Sequence, residues 1–320
     1  MYPSSGATVR ADLNSVLMEA SMAENGLIGD ILMPAFGVDA KSGTYIKIKK
    51  AAGELLKPGS TRRERGASYG RVKRAWETDT YDTYDRGLEE AVDDTDVKDA
   101  SRFFDMEALA AKMVYRAMKL DHEIRVRDAI MSTTNFGSAA NPAVDYTEAL
   151  IATIDFPLDI MTAIETIANG GEQADTIVLT PNLFNRIRRS TLLKSFLVGS
   201  NLPSANINAA TIQQAFAENG IKQVLIGRGR YDTTVKKSTP TYTAGLIWPD
   251  TYIWVGKVAG GDFMNGGAGR TLVWNQEGGL FTTETYREEQ NRSNVVRVRQ
   301  HTSEKVIDAN CGTLITTNYA

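Results

Sequence analysis

At 320 residues with 42% apolar side chains, the chain is long enough to bury a sizeable core without disulfides or metals to staple it. Its 36 Lys and Arg against 39 Asp and Glu leave a net charge of −3, which removes the usual electrostatic case for a sequence-independent grip on nucleic acid. A single cysteine, Cys311, excludes an internal disulfide and any clustered-cysteine zinc site, and reads as a buried small apolar residue.

The opening MYPSSGATVRADLNS has no apolar stretch behind a basic start, and no run approaches the roughly 18 apolar residues of a membrane span, so neither a signal peptide nor a membrane helix is expected. From Arg10 to Gly26, Leu13, Val16, Leu17 and Ala20 fall at helical spacing, which predicts an extended arm with a short helix. Tyr45 to Lys49 alternates, Ile46 and Ile48 against Lys47 and Lys49, and predicts a strand. A second strand is expected around Tyr69 to Trp76. The link between them, KPGSTRRERGAS, is too charged to form a core of its own, so the segment reads as a long hairpin projecting from the body.

Charge is divided along this stretch. Lys57 to Arg74 holds seven basic residues and one acidic, net +6, whereas Glu77 to Asp99 holds ten acidic and two basic, net −8. The strongest helix is expected from about Phe103 to Met131, capped by Ser101, with Met106, Leu109, Met113, Ala117, Leu120, Ile124 and Ile130 as its apolar stripe. A helix of that length, about 40 Å at 1.5 Å per residue, is a beam for the fold.

Pro157 opens a further helix with Ile160, Met161, Ile164 and Ile167 on one side, capped by Asp155 or Phe156 and stopped at Gly170 and Gly171. Thr176 to Thr180 (TIVLT) reads as a buried strand, Pro181 as the start of a helix with Leu183, Phe184 and Ile187, and Ala209 to Asn219 as a helix ended by Gly220. Val224 to Ile226 resumes the sheet. Leu246 to Trp248 and Tyr252 to Val255 read as two strands joined at Pro249-Asp250, and Val295 to Arg299 alternates as a strand. The class is α+β, without internal repeat.

Catalytic chemistry has few candidates. His122 and His301 sit in a long helix and near a strand end, and read as structural. VLIGRGRYD puts Gly227 and Gly229 after a strand, but Asp232 replaces the third glycine of a dinucleotide fingerprint. Gly260, Gly261, Gly266, Gly267 and Gly269 form a loop lacking the Gly-Lys-Ser/Thr ending of a phosphate cradle. Asp93, Asp94 and Asp96 lack the central glycine and distal glutamate of a calcium loop, and read as a solvated or salt-bridged face. No catalytic residue, metal or cofactor is expected.

Taken in order, an arm, a charged hairpin, a beam helix, a mixed α/β unit and a returning strand resemble the tailed-bacteriophage major capsid protein family. ADTIVLTPNLFNRIRR (Ala174 to Arg189) is similar to the stretch with which that family enters its axial domain, and EKVIDANCGTLITT (Glu304 to Thr317) to its C-terminal end. The resemblance implies the Hong Kong phage-type capsid fold: residues 1–43 as N-terminal arm, 44–86 as extended loop, 87–154 with 275–305 as a peripheral domain around a spine helix at 103–131, and 155–274 with 306–320 as the axial domain. It implies a non-enzymatic subunit that assembles with itself, as hexamers and pentamers, in the host cytoplasm into an icosahedral virion shell. Its further partners would be scaffolding, portal and decoration proteins, with packaged double-stranded DNA in weak non-specific contact and no membrane.

Because the arm begins within a few residues of Met1, a separate scaffolding protein, or none, is implied. Certain relatives join a lysine of the extended loop to an asparagine of a neighbour, for which Lys57 with Asn291 or Asn294 nominally serves. The contacts between subunits are expected from the opposed charge blocks: Lys57, Arg62, Arg63, Arg65 and Arg71 against Asp79, Asp82, Asp85, Glu89, Glu90, Asp93 and Asp94. The competing readings are an encapsulin-like nanocompartment shell, which shares the fold, and an α/β enzyme with its site in the glycine loop at Gly260 to Gly269.

Overall fold

The structure is a computed structural model, and it describes residues 8–9, 26–48, 61–71, 76–100, 105–137, 140–142, 144–200, 202–203, 206–233, 243–261 and 266–319. The expected arm helix after Arg10, the Ser101 cap and Lys57 lie outside these residues.

The chain runs through β1 (Thr8–Val9), the short α1 (Gly29–Leu32), β2 (Ala35–Val38), β3 (Ser42–Ile48), β4 (Trp76–Asp82) and β5 (Tyr84–Asp93). It continues through α2 (Asp94–Ala100), α3 (Met106–Ile130), α4 (Thr133–Phe136), α5 (Phe156–Asn169), β6 (Thr176–Leu179), α6 (Pro181–Ile187), α7 (Thr191–Gly199) and α8 (Ala209–Ala215). Then, apart from short 3-10 turns, come the strands β7 (Gln223–Ile226), β8 (Arg230–Asp232), β9 (Ala244–Leu246), β10 (Tyr252–Gly256), β11 (Gly269–Trp274), β12 (Thr282–Glu288), β13 (Ser293–Val306) and β14 (Gly312–Thr316).

Two sheets carry the core. In the larger, β13 is the axis: it pairs with β5 along one edge, and on the other with β12 and then β11, while β2 adds in parallel to β11 and β1 adds antiparallel to β12. The expected strand at Val295 to Arg299 is only the middle of this 14-residue element. The helix α3 lies on this sheet and buries Ala110, Ala111, Val114, Tyr115 and Met118 against Val92, Val296 and Val298. The smaller sheet has the order β14-β10-β6-β7. Its alternate side chains go opposite ways, as the period of a strand demands. Ile177, Leu179, Ile253, Val255 and Ile315 join α5 to α8 in one core, whereas Val178, Trp254 and Leu314 face a second core shared with Val126, Ile130 and Met131 of α3's end. Burial on both faces is why TIVL reads as an unbroken apolar run.

Helix starts follow the side chains able to accept from free N–H groups. Asp105 caps α3, Asp155 caps α5, Thr180 caps α6, Ser190 caps α7 and Asn208 caps α8. Gly220, at a φ of +96°, ends the turn after α8 in the left-handed conformation that glycine adopts at least cost.

Several expectations need correction. The long helix starts at Met106, behind Asp105, and its inward face holds only part of the stripe read from the sequence: Ile130 is buried and Met106, Leu120 and Ile124 pack against the cores, whereas Leu109 and Met113 are 42% and 60% exposed, Ala117 is exposed, and the buried face also includes His122 and Glu123. The second hairpin strand is Trp76–Asp82, not Tyr69 to Trp76, and Tyr69 lies in coil. The strand expected at Leu246 to Trp248 is Ala244–Leu246, paired with β8, with Ile247 and Trp248 beyond its end, and the next strand, β10, lies between β6 and β14. Gly269 belongs to β11 rather than to the glycine loop.

Candidate functional site

The hairpin is built as a two-stranded antiparallel ribbon, with Ser42 opposite Asp82 at its base and Ile48 opposite Trp76 at its far end. Asp79 locks it. Its carboxylate accepts from Lys47 at 2.7 Å, the Tyr45 hydroxyl at 2.9 Å, the Thr80 amide at 2.8 Å and, from β13, Lys305 at 3.4 Å. Burial alone would raise this carboxyl, but donation from Lys47, Tyr45 and the Thr80 amide outweighs it and holds it far below the ordinary carboxylate range. Burial and the same carboxylate push the Tyr45 phenol upward. The base is tied by Thr83, whose amide and hydroxyl both donate to the Lys41 carbonyl. Beside it lies a hollow of about 500 Å³ lined by Phe36, Val38, Tyr45, Tyr81 and Leu272, so polar ties rather than a packed core hold the hairpin to the body.

Beyond the ribbon, residues 61–71 are exposed throughout. Arg63 donates to the Ala67 carbonyl at 2.6 Å and stacks 4.7 Å from the Tyr69 ring, and Arg62 faces Glu64 at 3.7 Å. Among the described residues, Arg65 and Arg71 make no ion pair.

The acidic candidates divide into two groups. Asp79 is engaged by Lys47 and Tyr45 of the hairpin and by Lys305 of β13. Glu89 accepts from Arg297 at 2.8 Å and from the Tyr286 hydroxyl at 3.1 Å, and Asp94 holds both Arg287 nitrogens at 2.6 and 2.7 Å. Donation from Arg287 keeps the Asp94 carboxyl below its usual range, and the Thr95 amide does the same for Asp93. Asp82, Asp85 and Glu90 are exposed and make no ion pair among the described residues. Asp82 precedes β5 and Asp85 and Glu90 lie within it, and among the described residues β5 has a strand neighbour on one side only.

A second constellation escaped the sequence reading. On α3, Glu123 accepts from the Ile28 and Gly29 amides at 2.9 and 2.6 Å and from the Trp248 indole at 2.6 Å, binding the arm's end to the joint between the sheets. Burial pushes this carboxyl up, against those three donors. One residue before it, His122 lies between Asp30 at 3.2 Å and Glu304 at 3.1 Å, with Arg125 on Glu304 at 2.7 Å and Lys119 on Asp30. Burial lowers the imidazole, but the two carboxylates outweigh it and the net shift is upward. The same contacts draw Glu304 down and Asp30 down to about 2. The signal that could have found this pair is two adjacent polar residues inside an apolar helix face.

The glycine loop offers close packing rather than a cradle. A Cβ on Gly267 would lie 2.3 Å from the Ala259 nitrogen, and one on Gly269 2.6 Å from the Met33 methyl. Gly229 and Arg228 donate their amides to the Gly26 carbonyl, so the VLIGRGRYD loop anchors the end of the arm. One cluster of metal-binding residue types occurs among the described residues, Glu172, Asp308 and Cys311, but Lys257 already sits 2.8 Å from Glu172. Asn291 and Asn294 are bonded within the chain, to Glu288 at 2.7 Å and Glu107 at 2.9 Å. No helix among the described residues is long and apolar enough to cross a membrane.

No family model matches the sequence, and no curated protein matches it. Solved structures do. The chain aligns over 98% of its length with 98% of a phage-related protein from Bordetella bronchiseptica RB50, at a TM-score of 0.70 and 18% identity. It aligns over 90% with 86% of a subunit of the capsid of cyanophage P-SCSP1u, at 0.57 and 9% identity. It aligns over 90% with 85% of the encapsulin of Synechococcus elongatus PCC 7942, at 0.53 and 10% identity. The fold is therefore the α+β fold of Hong Kong phage-type capsid subunits, as the order of elements implied.

Proposed function

We propose that this chain is the major capsid protein of a tailed bacteriophage, a structural subunit that assembles with copies of itself into the head shell. The observation that carries this reading is the likeness, over 90% of the chain, to the folds of a phage capsid subunit and an encapsulin, together with the 98% match to a phage-related protein. A ribbon tied to the body through Thr83 at its base and Lys305 at Asp79, with Ile46 61% exposed on its side, gains stability by lying on a neighbour. The chain's work is then mechanical rather than catalytic. The arm, extended loop, peripheral and axial domains take the boundaries given above, with β11 hydrogen-bonded into the larger sheet. Hexamers and pentamers, a scaffold, a portal, decoration proteins and weakly held DNA are the partners of this reading, and the virion its location.

Negative-stain imaging of the purified protein tests it: closed shells, capsomers or tubes are expected. A strictly monomeric species by light scattering, at high concentration and with scaffold present, contradicts it. The second reading, a nanocompartment shell, is supported by the likeness to the Synechococcus encapsulin. Co-purification with packaged DNA favours the capsid, and with a cargo protein the compartment.

A further inference from the structure

The hollow at the root of the hairpin, about 500 Å³, lies within the size range of small-molecule sites, and its walls come from both the body and the ribbon. Phe36 and Val38 of β2 and Leu272 of β11 line it from the larger sheet, and Tyr45 of β3 and Tyr81 of β4 line it from the ribbon. Three aromatic residues and two aliphatic ones around one space suit a flat, largely apolar guest.

Charge favours an uncharged one. The rings already hold cations of their own, Arg270 at 5.2 Å from the centre of Phe36 and Lys47 at 5.5 Å from that of Tyr45. Among the lining residues the carboxylate is Asp39, which accepts from Asn275 at 3.1 Å. A cationic guest would meet Arg270 and Lys47, and an anionic one Asp39. Both phenols are engaged within the chain, Tyr45 on Asp79 at 2.9 Å and Tyr81 on the Ala40 carbonyl at 3.2 Å. The open polar groups come from the backbone instead. Thr271 donates to the Pro34 carbonyl, and the parallel ladder then turns the peptide groups of Phe36 and Val38 toward β11 and those of Gly37 away from it. Among the described residues β2 has no strand on that outer side. Gly37, without a side chain, lines the hollow by its backbone, so an N–H and a C=O stand open side by side at the wall.

We propose that this hollow binds an uncharged, flat heteroaromatic molecule of two or three fused rings, whose edge carries a donor next to an acceptor, as a lactam does. The rings lie among Phe36, Tyr45 and Tyr81, and the lactam edge exchanges hydrogen bonds with the Gly37 backbone. Such a guest touches sheet and ribbon together. It therefore adds an apolar wedge to the polar ties at Asp79 and Thr83, and restrains the angle at which the hairpin leaves the body. The site does not depend on what the chain assembles into.

The test titrates carbostyril, an uncharged two-ring lactam, into the full-length protein, followed by calorimetry and saturation-transfer NMR. One site per subunit is expected, with a dissociation constant of about 1 mM or below, the range for a ligand of this size. N-methylcarbostyril keeps the rings and the carbonyl but lacks the donor, and should bind about three- to tenfold more weakly. Val38→Trp puts a ring into the hollow and should abolish binding while circular dichroism stays unaltered. Amide exchange in residues 42–48 and 76–82 should slow when carbostyril is bound, because the guest holds the ribbon to the sheet. Should the tryptophan variant misfold, the comparison of the two compounds on the unaltered protein still decides. No saturable binding up to about 5 mM, equal binding of the methylated compound, or undiminished binding to a folded Val38→Trp overturns the site. None of these outcomes touches the shell reading, which stands or falls on imaging.

Discussion

At the scale of single residues, Glu123 joins three distant parts of the chain. It satisfies two amides at the end of the arm and the Trp248 indole from inside the core. Truncation in Glu123→Ala leaves three donors without acceptors, each costing about 1–3 kcal/mol when buried, so a loss of about 3 kcal/mol or more is expected. The urea midpoint of the soluble subunit measures it; a change within about 0.5 kcal/mol, as for an ordinary surface position, would remove Glu123 from this role. His122 adds a pH dependence whose sign follows from its neighbours. Its folded pKa lies above the unfolded value of about 6.5, so its contribution is complete below that pH and lost as pH rises through the folded value. Asp30 and Glu304 are depressed, so theirs is present above their unfolded values near 4 and lost as pH falls, for Asp30 toward about 2. The cluster is strongest between these limits. Urea midpoints from pH 5 to 9 should decline on the alkaline side in the unaltered protein, and His122→Gln should flatten that decline.

At the scale of elements, the helix α3 shows what periodicity can and cannot read. Its existence and length follow from the spacing of its apolar residues, but its rotation does not. The inward face was set by Ala110 and Ala111, whose small size lets the helix approach the sheet closely, and by His122 and Glu123, whose partners lie far away in sequence. A stripe drawn through the largest apolar residues therefore met the inward face at Met106, Leu120, Ile124 and Ile130 and left it at Leu109 and Met113. Ala111 is fully buried, so Ala111→Leu should overpack and cost about 1–3 kcal/mol. Leu109→Ser and Met113→Ser should leave the isolated subunit within about 0.5 kcal/mol. Equal losses from both kinds of substitution would mean that the exposed face is packed. The helices after Pro157 and Pro181 were legible because proline and an Asp or Thr cap sit at their starts. β11, β12 and β14 were not, since short strands buried by distant partners carry little local signal.

At the scale of the whole molecule, the division of charge was visible in the sequence, whereas the sorting of its acidic members was not. Which carboxylates remain open depends on Arg287, Arg297 and Lys305, which are about 200 residues further along the chain and arrive only when β12 and β13 pair beside the hairpin. Two effects compete to drive association, and salt separates them. Burial of exposed apolar groups such as Ile46 and Met113 is insensitive to sodium chloride or strengthened by it. Attraction between an arginine tip and an acidic edge is screened, over about 10 Å at 0.1 M salt and about 3 Å at 1 M. Any one such pair is weak at a surface, but the contact recurs at every copy around a closed shell, so a small change per copy becomes a sharp change in the concentration at which shells appear. Assembly of the unaltered subunit, followed by light scattering, should therefore need a rising threshold concentration between about 0.05 and 0.5 M salt. In the tip reversal R62E/R63E/R65E the dependence should invert, because salt then screens a repulsion and leaves the apolar contacts to act. A threshold that falls with salt in the unaltered protein would assign the driving force to apolar burial and remove the charged contact from the account of assembly.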